Sequence, residues 1–158
     1  VSWRGGTNKT RTKARSLGSE HWGPILSVPG VRFVNLQYGA YQAELADLNQ
    51  RYGPLIHDYP EALADYEETA ALVAALDLVV TVCTAVVHLS GALGTPVWIL
   101  TPQVPGWRYT AHGHSLRWYP GSRIFRQGAE GIWTTACQKL SVELRGLTKT
   151  VSPFVSRA

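Results

Sequence analysis

The hydrophobic positions along the chain fall into strand-like and helix-like segments. Residues 31–38 alternate between apolar and polar side chains and follow the turn-forming pair Pro29-Gly30, so they predict a strand. Residues 78–82 and 97–100 are short, uninterrupted apolar runs, which are typical of strands buried on both faces of a parallel sheet. Three shorter segments are also predicted as strands: residues 1–3, 55–58 and 123–126.

Three other segments have the spacing of helices. Residues 66–76 repeat apolar side chains at helical spacing after Asp65, which suits the N-cap position. Residues 84–93 predict a second helix, which Gly94 ends. A third, amphipathic helix is expected from residue 133 to about residue 144.

The order strand, helix, strand across residues 78–100 predicts the fold class. It is α/β, with a Rossmann-like, doubly wound parallel sheet of about five or six strands and helices on both faces. In such sheets, ligands bind at the loops that follow the carboxyl ends of the strands. The loops of interest therefore begin after four residues: Trp3, Tyr38, Val82 and Leu100.

Length and composition describe one ordinary globular domain, which we expect at residues 1–147, with a flexible tail at residues 148–158. No apolar run approaches the roughly 20 residues that span a bilayer, so no membrane span is expected. Since the sequence contains no methionine, we interpret the chain as a fragment or a processed product. Cys83 and Cys137 are too few for a disulfide framework and lack CxxC spacing, which favours a cytoplasmic setting and no metal site.

The net charge of +4 comes from one end of the chain. Five basic residues precede the first acid, Glu20, and the remainder is close to neutral. A local patch of this kind favours an anionic ligand, whereas a protein that binds duplex nucleic acid is expected to spread charge over a face or helix. Nucleic-acid binding is therefore the least favoured function. The five basic residues are Arg4, Lys9, Arg11, Lys13 and Arg15.

The basic N-terminal loop combines charge with two glycines. Gly5 and Gly6 follow Arg4 directly, and glycine lets the backbone approach a phosphate closely. The loop therefore suits a diphosphate. A solvated basic loop with no ligand explains the composition about as well.

A second anion site is predicted where residues 78–82 pass into the next helix. The turn from strand to helix is expected to leave the amides of Thr84, Ala85 and Val86 free at a helix N-terminus, and the Thr84 hydroxyl can donate as well. Neither a Walker loop nor a GxGxxG motif is present, and an ordinary helix start is the simpler interpretation of these residues alone. His88 lies on the same helix and is a candidate either for packing or for ligand contact.

Residues 65–98, DYEETAALVAALDLVVTVCTAVVHLSGALGTPVW, resemble the C-terminal domain of glycosyltransferase family 9, which includes the lipopolysaccharide heptosyltransferases. They are more similar still to related domains at the C-terminal end of bacterial tetratricopeptide-repeat proteins. The resemblance covers nearly the whole chain up to about residue 147. It includes four shorter segments: WRGG at 3–6, LQYG at 36–39, WYP at 118–120 and FRQ at 125–127.

This resemblance implies the C-terminal half of a GT-B fold, in which two Rossmann-like domains face each other across a cleft. It implies that Arg15, Arg4 and Lys9 neutralise donor phosphate charge, while Gln37 and Tyr38 meet the nucleoside and Glu44 approaches the ribose. Together with the glycines and the helix start, the expected nucleotide-sugar-binding residues are Arg4, Gly5, Gly6, Lys9, Arg15, Gln37, Tyr38, Glu44, Thr84, Ala85, Val86 and His88. His88 is also the one candidate catalytic residue.

The function implied is sugar transfer with a nucleoside diphosphate as leaving group. Basic side chains and helix amides would stabilise the departing phosphate without a metal or another cofactor. The acceptor, a glycan or a protein, and its general base would depend on the missing N-terminal domain, so the isolated chain is expected to be inactive.

One departure from the family concerns position 83, where Cys83 replaces the usual aspartate before the threonine. An alternative function follows from it, namely a non-catalytic ligand-binding or assembly module derived from a glycosyltransferase. Cys83 itself is expected to be a buried small residue, not a nucleophile.

Overall fold

The computed structural model describes residues 1–6, 12–129 and 131–150. Within these residues five strands form: β1 (Phe33–Val34), β2 (Ile56–His57), β3 (Val79–Val82), β4 (Val97–Thr101) and β5 (Ser122–Arg126). The α-helices of the same residues are α1 (Gly23–Leu26), α2 (Gln42–Tyr52), α3 (Pro60–Ala64), α4 (Tyr66–Ala74), α5 (Ala85–Leu93) and α6 (Thr134–Thr150). Short 3-10 helices occupy Thr12–Arg15, Ser19–His21 and Trp107–Tyr109.

The strands pair in parallel. β3 pairs with β4 and β4 with β5, so that Val79 lies opposite Val97 and Val97 lies opposite Ser122. β1 and β2 also pair in parallel, with Phe33 opposite Ile56. Because α5 connects β3 to β4, the predicted strand–helix–strand unit is confirmed.

Residues 1–3 join these two groups of strands into one layer. The Ser2 amide donates to the Val80 carbonyl and the Val82 amide donates to the Ser2 carbonyl, both at 3.1 Å. On the other side, the Val1 nitrogen donates to the Val34 carbonyl at 2.5 Å and the Leu36 amide donates to the Val1 carbonyl at 2.8 Å. The spatial order is therefore β2, β1, residues 1–3, β3, β4 and β5.

Alternate residues of the sheet face two separate hydrophobic clusters. Val80 and Leu100 pack in one cluster with residues of α1, α2 and α6, including the fully buried Leu140. Val79 and Ile99 point the other way and pack with residues of α4 and α5. Helices therefore cover both faces of the sheet, as predicted, and each fully buried aliphatic side chain contributes about 1.5–3 kcal/mol.

Local sequence sets the ends of the two central helices. Asp65 caps α4 by accepting hydrogen bonds from the amides of Glu67 and Glu68 at 2.8 and 3.0 Å. Thr84 caps α5, and Gly94, with a φ of 78°, ends it in the left-handed conformation that glycine adopts readily.

The structure differs from the predicted elements in several places. The short helices α1 and α3 were not predicted. β1 contains two residues instead of eight, and after Leu36 it is the side chain of Gln37 that binds the neighbouring segment. Helix α2 was not predicted, since its hydrophobic pattern is weak and only Leu45 and Leu48 are buried. Helix α6 continues to Thr150 and therefore includes the start of the predicted tail. Residues 151–158 lie outside the described residues.

Candidate functional site

The basic N-terminal loop and the start of α5 meet at the carboxyl end of β3. The loop leaves the sheet at Trp3 and is closed where the Leu17 amide donates to the Trp3 carbonyl at 2.8 Å. This closure places Arg15 beside β3, where its guanidinium Nη2 donates to the Cys83 carbonyl. Arg15 and the helix start therefore lie at one edge of the sheet. The predicted Lys9 lies outside the described residues.

Gly5 is required by packing within the chain. A Cβ added at Gly5 would lie 2.8 Å from the carbonyl oxygen of Cys83 and 2.9 Å from that of Arg15. The absence of a Cβ at Gly5 thus allows a close approach between backbone segments of the chain itself. Gly6 is exposed and has a φ of 81°, a conformation that favours glycine.

The start of α5 has fewer available amides than predicted. The Thr84 hydroxyl accepts a hydrogen bond from the Val86 amide at 3.2 Å, so the prediction that the Val86 amide is free is wrong. The same hydroxyl lies 3.2 Å from the Thr81 hydroxyl and is buried, so it points into the protein. Within the described part of the chain, the amides of Thr84 and Ala85 donate no hydrogen bond. These two amides remain available to an anion.

The charge of Arg4 is compensated within the chain. Its Nε lies 3.1 Å from Oε1 of Glu44, and its Nη2 donates to the Ala40 carbonyl at 2.9 Å. The other oxygen of Glu44 accepts from the indole of Trp3 at 3.0 Å. Both predicted ligand-binding residues, Arg4 and Glu44, are therefore engaged with each other and with the loop.

Gln37 is a buried structural residue. Its side-chain oxygen accepts hydrogen bonds from the Ser2 hydroxyl at 3.1 Å and from the amides of Trp3 and Arg4 at 3.1 and 2.8 Å. The residue is 2% exposed, so this arrangement does not present the oxygen to a nucleoside. Tyr38, which follows it, is 50% exposed and remains available to a ligand.

A cavity opens between the N-terminal loop and α2. Its volume is about 300 Å³, the lower end of the range of small-molecule sites. Arg4 and Glu44 form one wall, and Ser16, Ser19 and Asp47 contribute polar groups to the others. Its apolar lining, which includes Trp3, Trp22 and Leu48, belongs to the cluster that packs with α1, α2 and α6, and no residue of α5 lines it.

His88 of α5 packs among aromatic rings. Its centroid lies 6.3 Å from that of Tyr109 and 5.8 Å from that of Tyr119. Burial and, to a smaller extent, the charge of Arg108 lower the pKa of His88, so the imidazole is neutral at pH 7. A Cβ at Gly91 would overlap the ring of Tyr119, so this glycine allows Tyr119 to pack against α5.

Arg126 was not among the predicted site residues, yet it organises the loop after β4. Its Nη2 donates to the carbonyls of Tyr109 and Gly113, both at 3.1 Å. Its Nη1 and the hydroxyl of Thr101 are buried and have no hydrogen-bond partner within the described residues. The sequence motif FRQ contains Arg126, but only the fold shows that its guanidinium binds the carbonyls of the loop after β4.

Cys83 is a buried, neutral thiol. Burial raises its pKa to about 12, although the charges of Arg15 and Arg126 act in the opposite direction. The thiol is therefore protonated at physiological pH and is not an activated nucleophile. No group of three His, Cys, Asp or Glu side chains that could bind a metal occurs in residues 1–6, 12–129 and 131–150.

No family model matches the chain. Protein FlbA of Caulobacter vibrioides is 37% identical over 137 residues, which cover 84% of this chain and 22% of FlbA. The chain thus spans about a fifth of this curated relative.

Two solved structures from Escherichia coli share the fold. ADP-heptose lipopolysaccharide heptosyltransferase II has a TM-score of 0.63 and 19% identity over 94% of this chain and 46% of its own. Heptosyltransferase WaaC with ADP-2-deoxy-2-fluoro heptose has a TM-score of 0.59 and 16% identity over 96% of this chain and 42% of its own. The expected α/β class with a parallel sheet, matching GT-B heptosyltransferases, is confirmed. None of the described helices combines the length and apolar character that crossing a membrane requires.

The contact between Gly5, Arg15 and Cys83 predicts that Gly5→Ala is destabilising. The added methyl group would force two backbone carbonyls apart, and overpacking of this kind costs about 1–3 kcal/mol. Denaturant unfolding measures the change. Gly106→Ala is the control, since a Cβ there meets no atom within 4 Å. Equal stability of the two variants would argue against the packed junction.

Proposed function

We propose that this chain is the donor-binding domain of a metal-independent GT-B glycosyltransferase, with the donor diphosphate at the start of α5. The observation that supports this most is the hydrogen bond from Arg15 to Cys83, since it brings a guanidinium to the helix start. A guanidinium offers five N–H donors in a planar fork that suits phosphate oxygens. The WaaC structures in which the fold recurs contain ADP and ADP-2-deoxy-2-fluoro heptose.

The electrostatic environment supports an anionic ligand. Besides burial and the contact of Cys83 with Tyr109, the charges that act on these two side chains are those of Arg15, Arg108 and Arg126. Positive charge and two unpaired helix amides at one point would stabilise a diphosphate, most strongly as charge develops on it during sugar transfer.

The nucleoside would lie on the β1 side of the diphosphate. The exposed Tyr38 follows β1 and offers an aromatic ring to the base. The polar groups of the cavity between the N-terminal loop and α2 are already bonded within the chain, since the Ser19 hydroxyl donates to Asp47 and the Ser16 hydroxyl accepts from the Gly5 amide.

A second domain would complete the enzyme. The chain covers 42–46% of the heptosyltransferase structures, so the acceptor site and its general base would lie in a part that is absent here. We also propose that the donor-binding domain belongs to a cytoplasmic, bacterial protein with tetratricopeptide repeats, as the sequence resemblance implies.

The neutral thiol of Cys83 favours a second candidate function, that of a non-catalytic module derived from a glycosyltransferase. A neutral thiol stands where the family resemblance implies a carboxylate. Such a module would still bind an anion, but it would show no transfer even when its partner domain is present.

The donor-site proposal predicts that the chain binds ADP, GDP or UDP weakly and that Arg15→Ala weakens the binding. A hydrogen bond to a charged group contributes about 1.5–3 kcal/mol, so the affinity should fall about 10- to 100-fold. Raising the salt concentration should weaken binding to the wild-type chain, because exposed charges are screened. Titration calorimetry measures both effects.

Lys13→Ala is the matched control, since Lys13 is an exposed cation of the same 3-10 helix. It should change the affinity much less than Arg15→Ala. If no nucleoside diphosphate produces heat with a folded wild-type protein, the donor-site proposal is wrong.

The two-domain proposal predicts binding without catalysis. The chain should bind a nucleotide-sugar yet transfer no measurable sugar, because half of the cleft is absent. Release of nucleoside diphosphate from ADP-, GDP- and UDP-sugars, assayed with and without acceptor glycans, tests this. Robust transfer by the isolated chain would refute the requirement for a second domain.

A further inference from the structure

Two exposed tryptophans lie next to the candidate phosphate site. Trp107 is 73% exposed and Trp118 is 52% exposed, although both belong to a loop that buries Tyr109 and Leu116 almost completely. The two indole rings contact each other with centroids 6.2 Å apart and planes at 78°. Two neighbouring large aromatic rings kept in solvent are typical of a binding surface.

The loop that presents these rings is held at several points. Arg126 binds the carbonyls of Tyr109 and Gly113, and the Ile124 amide donates to the His114 carbonyl at 2.7 Å. The Leu116 amide donates to the hydroxyl of Ser122, also at 2.7 Å. The loop residues held by these bonds lie between Trp107 and Trp118 along the chain. The tryptophans are therefore presented by a fixed scaffold, which reduces the entropy lost on binding.

The chemistry of the pair suits a sugar ring. An indole offers an apolar face to the C–H groups of a saccharide and an N–H donor to its hydroxyls. The guanidinium of Arg108 lies 4.7 Å from the Trp107 centroid, over that ring, and adds further donors beside it. The perpendicular arrangement forms a corner of apolar surface with polar groups around it.

The position of the pair along the sheet edge agrees with this chemistry. In the strand order, Tyr38 follows β1 on one side of β3, whereas the loop after β4 lies on the other side. Tyr109 and Tyr119, the chain neighbours of this aromatic surface, pack against His88 of α5. A nucleotide-sugar with its diphosphate at Thr84 and its nucleoside at Tyr38 would extend its sugar towards the tryptophans.

We propose that Trp107 and Trp118 form a saccharide platform, which stacks against a sugar ring of the donor or of the acceptor. This inference rests on the proposed donor site for its orientation. A nucleobase or a neighbouring protein domain could also cover indole rings, and each gives a different experimental result.

The test compares each nucleoside diphosphate with its nucleotide-sugar, using ADP with ADP-glucose, GDP with GDP-mannose, and UDP with UDP-glucose. For a donor platform, the double variant Trp107→Ala/Trp118→Ala should lose the affinity gained from the sugar, a change of about three- to tenfold, and should bind the nucleoside diphosphate as before. The variant Trp107→Phe/Trp118→Phe should recover most of the gain. Leu93→Ala, an exposed apolar residue at the far end of α5, should change neither affinity.

A second measurement is independent of the phosphate site. The indole N–H resonances of Trp107 and Trp118 are followed by NMR during titration with methyl glycosides of glucose, mannose and N-acetylglucosamine. Shifts of both resonances with these glycosides, while the donor preference is unchanged in the double variant, assign the platform to the acceptor sugar.

Three results would overturn the platform. One is a loss of nucleoside diphosphate affinity in the double variant, which indicates base stacking. Another is the absence of indole shifts with every nucleotide-sugar and glycoside. The third is that the two indoles are protected from acrylamide quenching in a longer protein that contains this chain but not in the chain alone. That result would indicate a domain interface. If the wild-type chain binds no nucleotide at all, the donor site fails, and the glycoside titration still decides the platform.

Discussion

The insertion of residues 1–3 between β1 and β3 is the interaction on which the rest of the structure depends. Buried backbone groups must be paired, and Val1 and Ser2 make hydrogen bonds to the strands on both sides. Gln37 completes this junction because its side-chain oxygen binds three donors of the same segment. The chain consequently leaves the sheet at its carboxyl edge, which is where Arg4 and the basic loop begin.

The three arginines near this edge of the sheet make different contacts. Arg4 is neutralised by Glu44 and stabilises the base of the loop, whereas Arg126 fixes the loop after β4 from below. Arg15 lies at the helix start itself. Part of the positive charge of the N-terminal segment is therefore paired within the protein, so the net charge of the segment is larger than the charge available to a ligand.

Sequence patterns predicted the central elements well, since β3, α5 and β4 have strong periodicity and clear capping residues. They predicted the edges poorly, because β1 depends on partners from residues 1–3 and α2 buries only two leucines. The roles of individual site residues required the fold. Gly5 packs against the carbonyl of Cys83, and Gln37 accepts a hydrogen bond from the Arg4 amide. Contacts of this kind join distant parts of the chain, so no periodic pattern in the sequence predicts them.

Under the proposed function, the thiol at position 83 would have opposite effects on binding and on catalysis. A protonated thiol adds no negative charge beside Arg15 and Arg126, so an anion approaching this edge meets less repulsion than it would from an aspartate. The aspartate that the family resemblance implies would be a group to orient a donor or assist proton transfer, and a neutral thiol does not replace it. Anion binding and sugar transfer are therefore separable properties of the proposed site. Measured affinity for a nucleotide supports the donor site, but only transfer in the presence of a second domain distinguishes an enzyme from a binding module.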